Sequence, residues 1–144
     1  MLLGKKKNKE AEAKLAQAVR LAPGAGVLRT LHAASLAELK RTEAAISEGR
    51  EGARLGQGVF LSQVVAGELV LRPRPAEALT YLDRAEELLP GIAEIELMRG
   101  KAFESLNRRN EAITAYRETV RRDPQGEVGA AAAKRLQALG VAPQ

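Results

Sequence analysis

An alanine followed twelve residues later by a proline occurs three times in this chain. The pairs are Ala11 and Pro23, Ala78 and Pro90, and Ala112 and Pro124. The last two prolines are 34 residues apart, whereas the first two are 67 apart, one short of twice that period. Self-similarity at a period of this length is typical of chains built from stacked supersecondary units. The repeat therefore constrains the fold more than any other feature of the sequence.

Each alanine–proline segment has the pattern of an amphipathic helix. Large residues stand four positions after the alanines, and small residues stand seven after them: Leu15, Leu82 and Tyr116, then Ala18, Ala85 and Thr119. These offsets lie on one helix face, and the proline ends the helix because it lacks an N–H group and clashes with the preceding turn. In the last unit, "AEIELMRGKAFESLN" supplies an antiparallel partner helix, in which Gly100 allows close approach and Phe103 fills the space beside Tyr116.

The composition agrees with helices alone and excludes several kinds of site. Alanine, leucine, glutamate and arginine are abundant, and only four residues are aromatic, which favours an all-α protein. Because the chain has no cysteine, it has no disulfide, no thiol nucleophile and no cysteine-bound metal. The single histidine, His32, excludes a histidine-rich metal site and is interpreted as a packing or surface residue. We expect no metal and no cofactor.

With these residues the chain resembles a tetratricopeptide-repeat (TPR) protein. In the unit 93–126 the matching residues are Gly100, Phe103, Ala112, Tyr116 and Pro124. The chain departs from the pattern at Glu96 and Arg99, where the family has a large apolar residue and a leucine. The resemblance implies an all-α fold, a right-handed α-solenoid of antiparallel helix pairs with about eight helices.

We expect one solenoid domain over residues 8–142 behind a flexible basic leader at residues 1–7. The expected parts are a half repeat (8–25), a degraded repeat (26–58), two full repeats (59–92 and 93–126) and a capping helix (127–140). Interior glycines each weaken a helix by roughly 1 kcal/mol, and Gly49, Gly52, Gly56 and Gly58 fall in the degraded repeat. We place the residue that is missing from the 34-residue period in the segment 42–58.

The sequence offers little catalytic chemistry. His32 has no acid or nucleophile at a telling spacing, and the acidic pairs have the spacing of solvated helix faces. The glycine-rich stretch "GREGARLGQG" lacks the Lys-Ser/Thr ending and the preceding strand of a phosphate-binding loop. We therefore expect that the protein is not an enzyme.

Stacked helical hairpins present their first helices on a concave surface that receives peptides or partner helices. The groove positions that the resemblance implies are Phe60, Gln63, Gly67, Val70, Glu94, Leu97, Lys101 and Glu104, with Leu71 and Ser105 beside them. One subclass of the family grips a terminal carboxylate with lysine and asparagine, and only Lys101 matches that set here. We expect a non-catalytic scaffold that binds an apolar peptide or helix of another protein.

The N-terminal region suggests two other contacts. Lys5, Lys6, Lys7 and Lys9 carry most of the net charge of +5, and the alternative function is binding of nucleic acid or an anionic surface. The absence of interleaved aromatic residues argues against nucleic acid. The half repeat leaves one flank of its helix uncovered, which favours self-association. No apolar run is long enough to span a membrane, and "MLLGKKKNKE" is not a secretory signal, so we expect a cytoplasmic protein.

Overall fold

The computed structural model describes residues 2–144, in which there are eight α-helices and no strand. The helices are α1 (Leu2–Leu21), α2 (Gly26–Glu38), α3 (Thr42–Leu55), α4 (Phe60–Val70), α5 (Pro75–Leu88), α6 (Ala93–Ser105), α7 (Arg109–Arg122) and α8 (Glu127–Ala138). The all-α fold with about eight helices, expected from the sequence, is confirmed. By their contacts the residues form two compact units, Met1–Leu69 and Val70–Gln144.

The first helix is longer than the half repeat predicted at residues 8–25. It begins at Leu2 and includes the lysine cluster, which we had expected to lie in a flexible leader. Lysine is a good helix former, and no glycine or proline interrupts the chain between Lys5 and Leu21. The helix ends just before Pro23, as a proline requires.

Three helical hairpins follow, and small buried residues mark the same position in each. On the first helices these residues are Ala33, Gly67 and Gly100, and on the second helices they are Ala45, Ala78 and Ala112. The spacing from first to second helix is twelve residues in the outer two hairpins and eleven in the middle one. The missing residue therefore lies between α4 and α5, and not in the segment 42–58.

The turns explain this difference. The α2–α3 and α6–α7 connections are three residues long, and their middle residues, Lys40 and Asn107, have positive φ angles of 62° and 59°. The α4–α5 connection is "LRPR", residues 71–74, and none of these four residues has a positive φ. A proline at position 73 fixes its own φ and disfavours a helical conformation of Arg72 before it. The helix α4 therefore ends early, and the chain turns in a different way.

In the unit Met1–Leu69, glycines of α3 allow helices to approach closely. A Cβ atom on Gly52 would lie 2.5 Å from Thr30 Oγ1 of α2, and one on Gly49 would lie 2.6 Å from Leu69 Cδ1 of α4. Both glycines are buried, and α3 continues through them to Leu55. The glycines that the sequence analysis took as weakening this repeat therefore permit its packing.

In the unit Val70–Gln144, the core is centred on Tyr116 of α7, whose side chain is fully buried. A Cβ atom on Gly100 would lie 2.5 Å from Tyr116 Cε1, so the ring lies directly against the backbone of α6. Phe103 belongs to the same apolar cluster, together with Ala132 and Leu136 of α8. The last helix thus covers the core of the last hairpin.

Candidate functional site

The predicted groove residues of α6 lie on one face of that helix, because their spacing follows the helical period. Glu94 and Lys101 are exposed, and Leu97 and Glu104 are half-buried. Leu97 also packs against the core cluster. This face therefore combines an apolar side chain with charged groups, as the sequence predicted.

The C-terminal half of this face opens into a cavity of about 400 Å³. The cavity lies among the α4–α5 turn, α6, α7 and α8, and its lining consists of Leu71, Arg72, Lys101, Glu104, Ser105, Tyr116 and Arg135. Lys101 and Glu104 were predicted as site residues, and the structure brings them together here. Arg72 and Arg135 were missed, because they come from elements outside the predicted groove helices.

Glu104 is held by two partners at the wall of the cavity. The hydroxyl of Tyr116 donates a hydrogen bond to Glu104 Oε1 over 2.8 Å, and Arg135 Nε donates to the same oxygen over 3.1 Å. The hydrogen bond from Arg135 is the main reason why the pKa of Glu104 lies below its ordinary value. Burial and the nearby Glu104 carboxylate raise the pKa of Tyr116, which keeps its phenol protonated. Glu104 is therefore a neutralised anion.

The other two charged groups in the cavity are cations without such partners. Neither Lys101 nor Arg72 makes a hydrogen bond or an ion pair with another residue in the described part of the chain. Both side chains are exposed. With the charge of Glu104 compensated by Arg135, the cavity has an excess of positive charge beside the apolar side chain of Leu71. It can accept an anionic group next to an apolar one.

The predicted groove residues of α4 lie differently. Gln63 is fully buried, and its amide donates hydrogen bonds to the backbone oxygens of Ala53 and Gly56 over 3.1 and 3.0 Å. Gly67 and Val70 are also buried, and Phe60 is half-buried. The prediction counted back from Ala78 and so carried the one-residue offset of the α4–α5 turn into α4.

One position further along, the side chains of α4 are accessible. Leu61 and Glu68 are exposed, and Val64 is half-buried. Burial raises the pKa of Glu68 above its ordinary value. These three residues stand where the corrected register of α4 places its outward face. An alignment on the small buried residues Ala33, Gly67 and Gly100 would have identified them.

A second and larger cavity, of about 1040 Å³, borders α7. Phe103 contributes its ring, with the guanidinium carbons of Arg99 and Arg108 at 5.6 and 4.9 Å from the ring centroid. The remaining lining includes Glu96, Glu111, Thr114, Ala115, Arg117, Glu118, Val120, Arg121, Pro124, Pro143 and Gln144. The sequence gave no signal for this cavity, since its α7 residues have the pattern of an ordinary solvated helix face.

The N-terminal residues singled out in the sequence are mostly at the surface. Lys5, Lys6, Lys7 and Lys9 are exposed on α1. In the half repeat, Leu15 is half-buried, and Val19 is buried against the rest of the chain. The side chain of Leu21, at the end of the same helix, is 81% exposed.

Two further searches of the described residues bear on function. None of their helices has the length and apolar character needed to cross a bilayer. Within the same residues, histidine, aspartate and glutamate side chains form no group of three arranged to hold a metal ion.

In comparisons with known proteins, no family model matches the chain, and no curated protein matches it in sequence. Its structure, however, is similar to solved TPR structures. YrrB, a TPR protein with an unusual peptide-binding site, superposes with a TM-score of 0.80 at 20% identity, over 92% of this chain and 69% of that one.

Two other solved structures are similar over most of their own length. MamA from Desulfovibrio magneticus RS-1 has a TM-score of 0.78 at 18% identity, over 96% of this chain and 86% of that one. The TPR domain of OM64 from Arabidopsis has a TM-score of 0.70 at 21% identity, over 79% and 95%. The resemblance that the sequence indicated is therefore confirmed at the level of structure, and the chain has the TPR fold.

Proposed function

We propose that this protein is a non-catalytic protein-interaction scaffold, and that the cavity beside α6 binds a peptide segment of a partner. The observation that carries the proposal is the pair of cations, Lys101 and Arg72, without ion-pair partners beside Leu71. A carboxylate next to an apolar side chain complements this arrangement. The expected ligand is therefore an acidic and apolar peptide, and not a purely apolar one.

The distribution of charge supports an anionic ligand. Lys101 and Arg72 are free to pair with a carboxylate, whereas Glu104 is already paired with Arg135 and so repels an incoming anion less. Ion pairs at a partly covered site set orientation and partner choice more than total affinity. Leu97, one helical turn before Lys101, offers the apolar contact that adds affinity.

The fold supports a peptide as the ligand. Stacked helical hairpins form extended binding surfaces, and YrrB, which shares this fold, is described as having a peptide-binding site. This support concerns the class of ligand only. The sequence of the ligand is inferred from the side chains of this chain.

A selection from a random peptide display library on the immobilised full chain tests the proposal. We expect enrichment of peptides in which Asp or Glu is adjacent to a large apolar residue. The Lys101→Glu variant should bind the selected peptides about tenfold more weakly or worse, because a charge pair becomes a repulsion. The matched control is Lys134→Glu, an exposed lysine of α8 outside the cavity lining.

Enrichment of peptides without acidic residues would contradict the proposed ligand class. An equal loss of binding in the Lys101→Glu and Lys134→Glu variants would show that net charge, and not the cavity, governs binding.

We also propose self-association through the N-terminal region, which an exposed apolar surface favours. Leu21 is 81% exposed, and Val27 and Leu31 of α2 are 43% and 41% exposed. Light scattering of the full chain should give a mass above the monomer that decreases in the Leu21→Glu variant. A monomer at all concentrations would contradict this contact.

The alternative function rests on the lysine cluster. Lys5, Lys6, Lys7 and Lys9 are exposed along the N-terminal part of α1 and could contact phosphates. Retention on heparin that is lost when the four lysines are changed to glutamine would favour this alternative. Retention that is unchanged by those substitutions would rule out the cluster as the anion-binding surface.

A further inference from the structure

His32, which the sequence presented as an ordinary packing residue, connects three helices of the unit Met1–Leu69. It belongs to α2, and its Nδ1 atom lies 2.5 Å from Glu48 Oε2 of α3. Its Nε2 atom lies 2.8 Å from Glu12 Oε1 of α1. The side chains of all three residues are largely covered, with 12% to 16% of their area exposed. One imidazole ring therefore lies between two carboxylates from two other helices.

This geometry requires a second proton on the ring. An ionised carboxylate only accepts hydrogen bonds, and a neutral imidazole carries one N–H donor and one acceptor nitrogen. A neutral His32 can therefore donate to Glu12 or to Glu48, but its other nitrogen then faces a carboxylate oxygen with no proton between them. The imidazolium form donates to both. Both contacts at hydrogen-bond distance thus belong to the protonated ring.

The surrounding charges act on both carboxylates. Arg29 of α2 pairs with Glu48 over 2.7 Å, and Arg41, at the start of α3, lies 3.8 Å from Glu12. Burial acts against the charged ring, but the hydrogen bonds and charges of Glu12 and Glu48 outweigh it. The pKa of His32 is accordingly raised above its ordinary value.

Apart from this contact, α1 is held by few apolar side chains. Val19 is its one buried apolar residue among positions 4–21, and Leu15 is half-buried. The connection to α2 contains Pro23 and Gly24, both exposed. A helix with so little buried apolar area depends more than its neighbours on polar contacts. The contact between Glu12 and His32 is therefore a large part of what holds α1 in place.

We propose that His32 is a pH-operated latch that holds α1 on the α2–α3 hairpin when the ring is protonated and weakens this docking when the proton leaves. The latch regulates access to the surface of α2 that α1 covers. It is independent of the peptide cavity beside α6, which belongs to the other unit.

The direction of the pH dependence follows from linkage. A group whose pKa is higher in the docked state than in the undocked state stabilises docking below the undocked pKa. That stabilisation is lost as the pH rises through the docked value. For every pH unit by which the docked pKa exceeds the ordinary one, the docking equilibrium weakens about tenfold between the low and high pH limits.

Two measurements on the full chain test the latch. The chain has a single histidine, so an NMR titration of its ring protons gives the pKa of His32 directly. Amide hydrogen exchange, corrected for the intrinsic rate, gives the protection of α1 relative to α7 at about pH 6 and about pH 8.5, on either side of the histidine range. We expect a pKa above the ordinary value of 6.5, and a loss of α1 protection that matches it in size.

Variants separate the latch from general destabilisation. Glu12→Gln should lower the pKa of His32 and reduce the pH dependence of α1 protection, whereas Glu10→Gln, an exposed position on the same helix, should change neither. His32→Arg keeps a positive charge at every pH in this range and should make α1 protection independent of pH.

Three results would overturn the proposal. One is a pKa of His32 at or below its ordinary value. Another is α1 protection that stays constant while the ring titrates. The third is a His32→Arg variant that retains the pH dependence of the natural chain.

Discussion

Single residues of the unit Val70–Gln144 fix how closely α6 and α7 approach. Gly100 leaves no room for a side chain, because a Cβ atom there would lie 2.5 and 2.6 Å from two carbons of the buried Tyr116 ring. We predict that Gly100→Ala destabilises the protein by about 1–2 kcal/mol, since overpacking a buried ring costs more than the roughly 1 kcal/mol that alanine gains over glycine in a helix. Urea unfolding measures the change.

Gly58→Ala is the control for this substitution, because nothing lies within 4 Å of a Cβ atom at that position. Its unfolding free energy should stay within about 0.5 kcal/mol of the natural chain. A Gly100→Ala variant as stable as the natural chain would mean that Tyr116 can move away from α6. The sequence predicted this contact, because the glycine and the tyrosine both match the repeat pattern.

The ionised state of Glu104 gives a second prediction at the residue scale. Its pKa lies below the ordinary value because of Arg135 and Tyr116. A carboxyl whose folded pKa is depressed contributes stability above its unfolded pKa and loses it as the pH falls through the folded value. Glu104→Gln should therefore be less stable than the natural chain near pH 7, and this difference should decrease on acidification below about pH 4, where carboxyls protonate.

Urea unfolding at a series of pH values measures this difference. Glu94→Gln, an exposed position on the same helix, is the control and should follow the natural chain at every pH. A deficit of Glu104→Gln that is constant across the series would show that the loss arises from packing and not from charge. The sequence predicted Glu104 as a site residue but not its partner Arg135, which is 31 positions away on another helix.

At the scale of helices, the register of α4 separates what the sequence could predict from what it could not. Spacing within α6 and α7 followed the repeat pattern, so Lys101 and Glu104 were placed on the correct face. For α4 the same count was displaced by one residue, because the turn at residues 71–74 contains prolines and shortens the hairpin spacing. A one-residue displacement rotates a helix face by roughly 100°. A local turn thus decided which side chains are accessible.

Cysteine accessibility tests this register, because the natural chain has no cysteine. We predict that a thiol reagent modifies Leu61→Cys at nearly the rate of a free thiol. We expect Val70→Cys to react at least about a hundredfold more slowly, since its side chain must first be exposed by local opening. Mass spectrometry of the labelled chain gives both rates. Fast labelling at position 70 and slow labelling at position 61 would restore the register expected from the prolines.

At the scale of the whole chain, the period of the alanine–proline pairs predicted the fold, since each hairpin needs a neighbour to cover its apolar face. The candidate site was predictable only in part. Its cavity is formed where the ends of several elements meet, and the positions of Arg72 and Arg135 depend on a turn and on a last helix that lie outside the groove pattern. The contact of His32 with Glu12 and Glu48 likewise joins residues that share no spacing rule.

The measurement that tests the central claim most directly is an NMR chemical-shift map of the full chain during titration with an acidic and apolar peptide. We predict that the shifts centre on Arg72, Lys101 and Ser105, and that they disappear in the Lys101→Glu variant but persist in Lys134→Glu. Shifts centred on the cavity around Phe103 or on α1, or shifts that do not depend on the acidic residue of the peptide, would contradict the account.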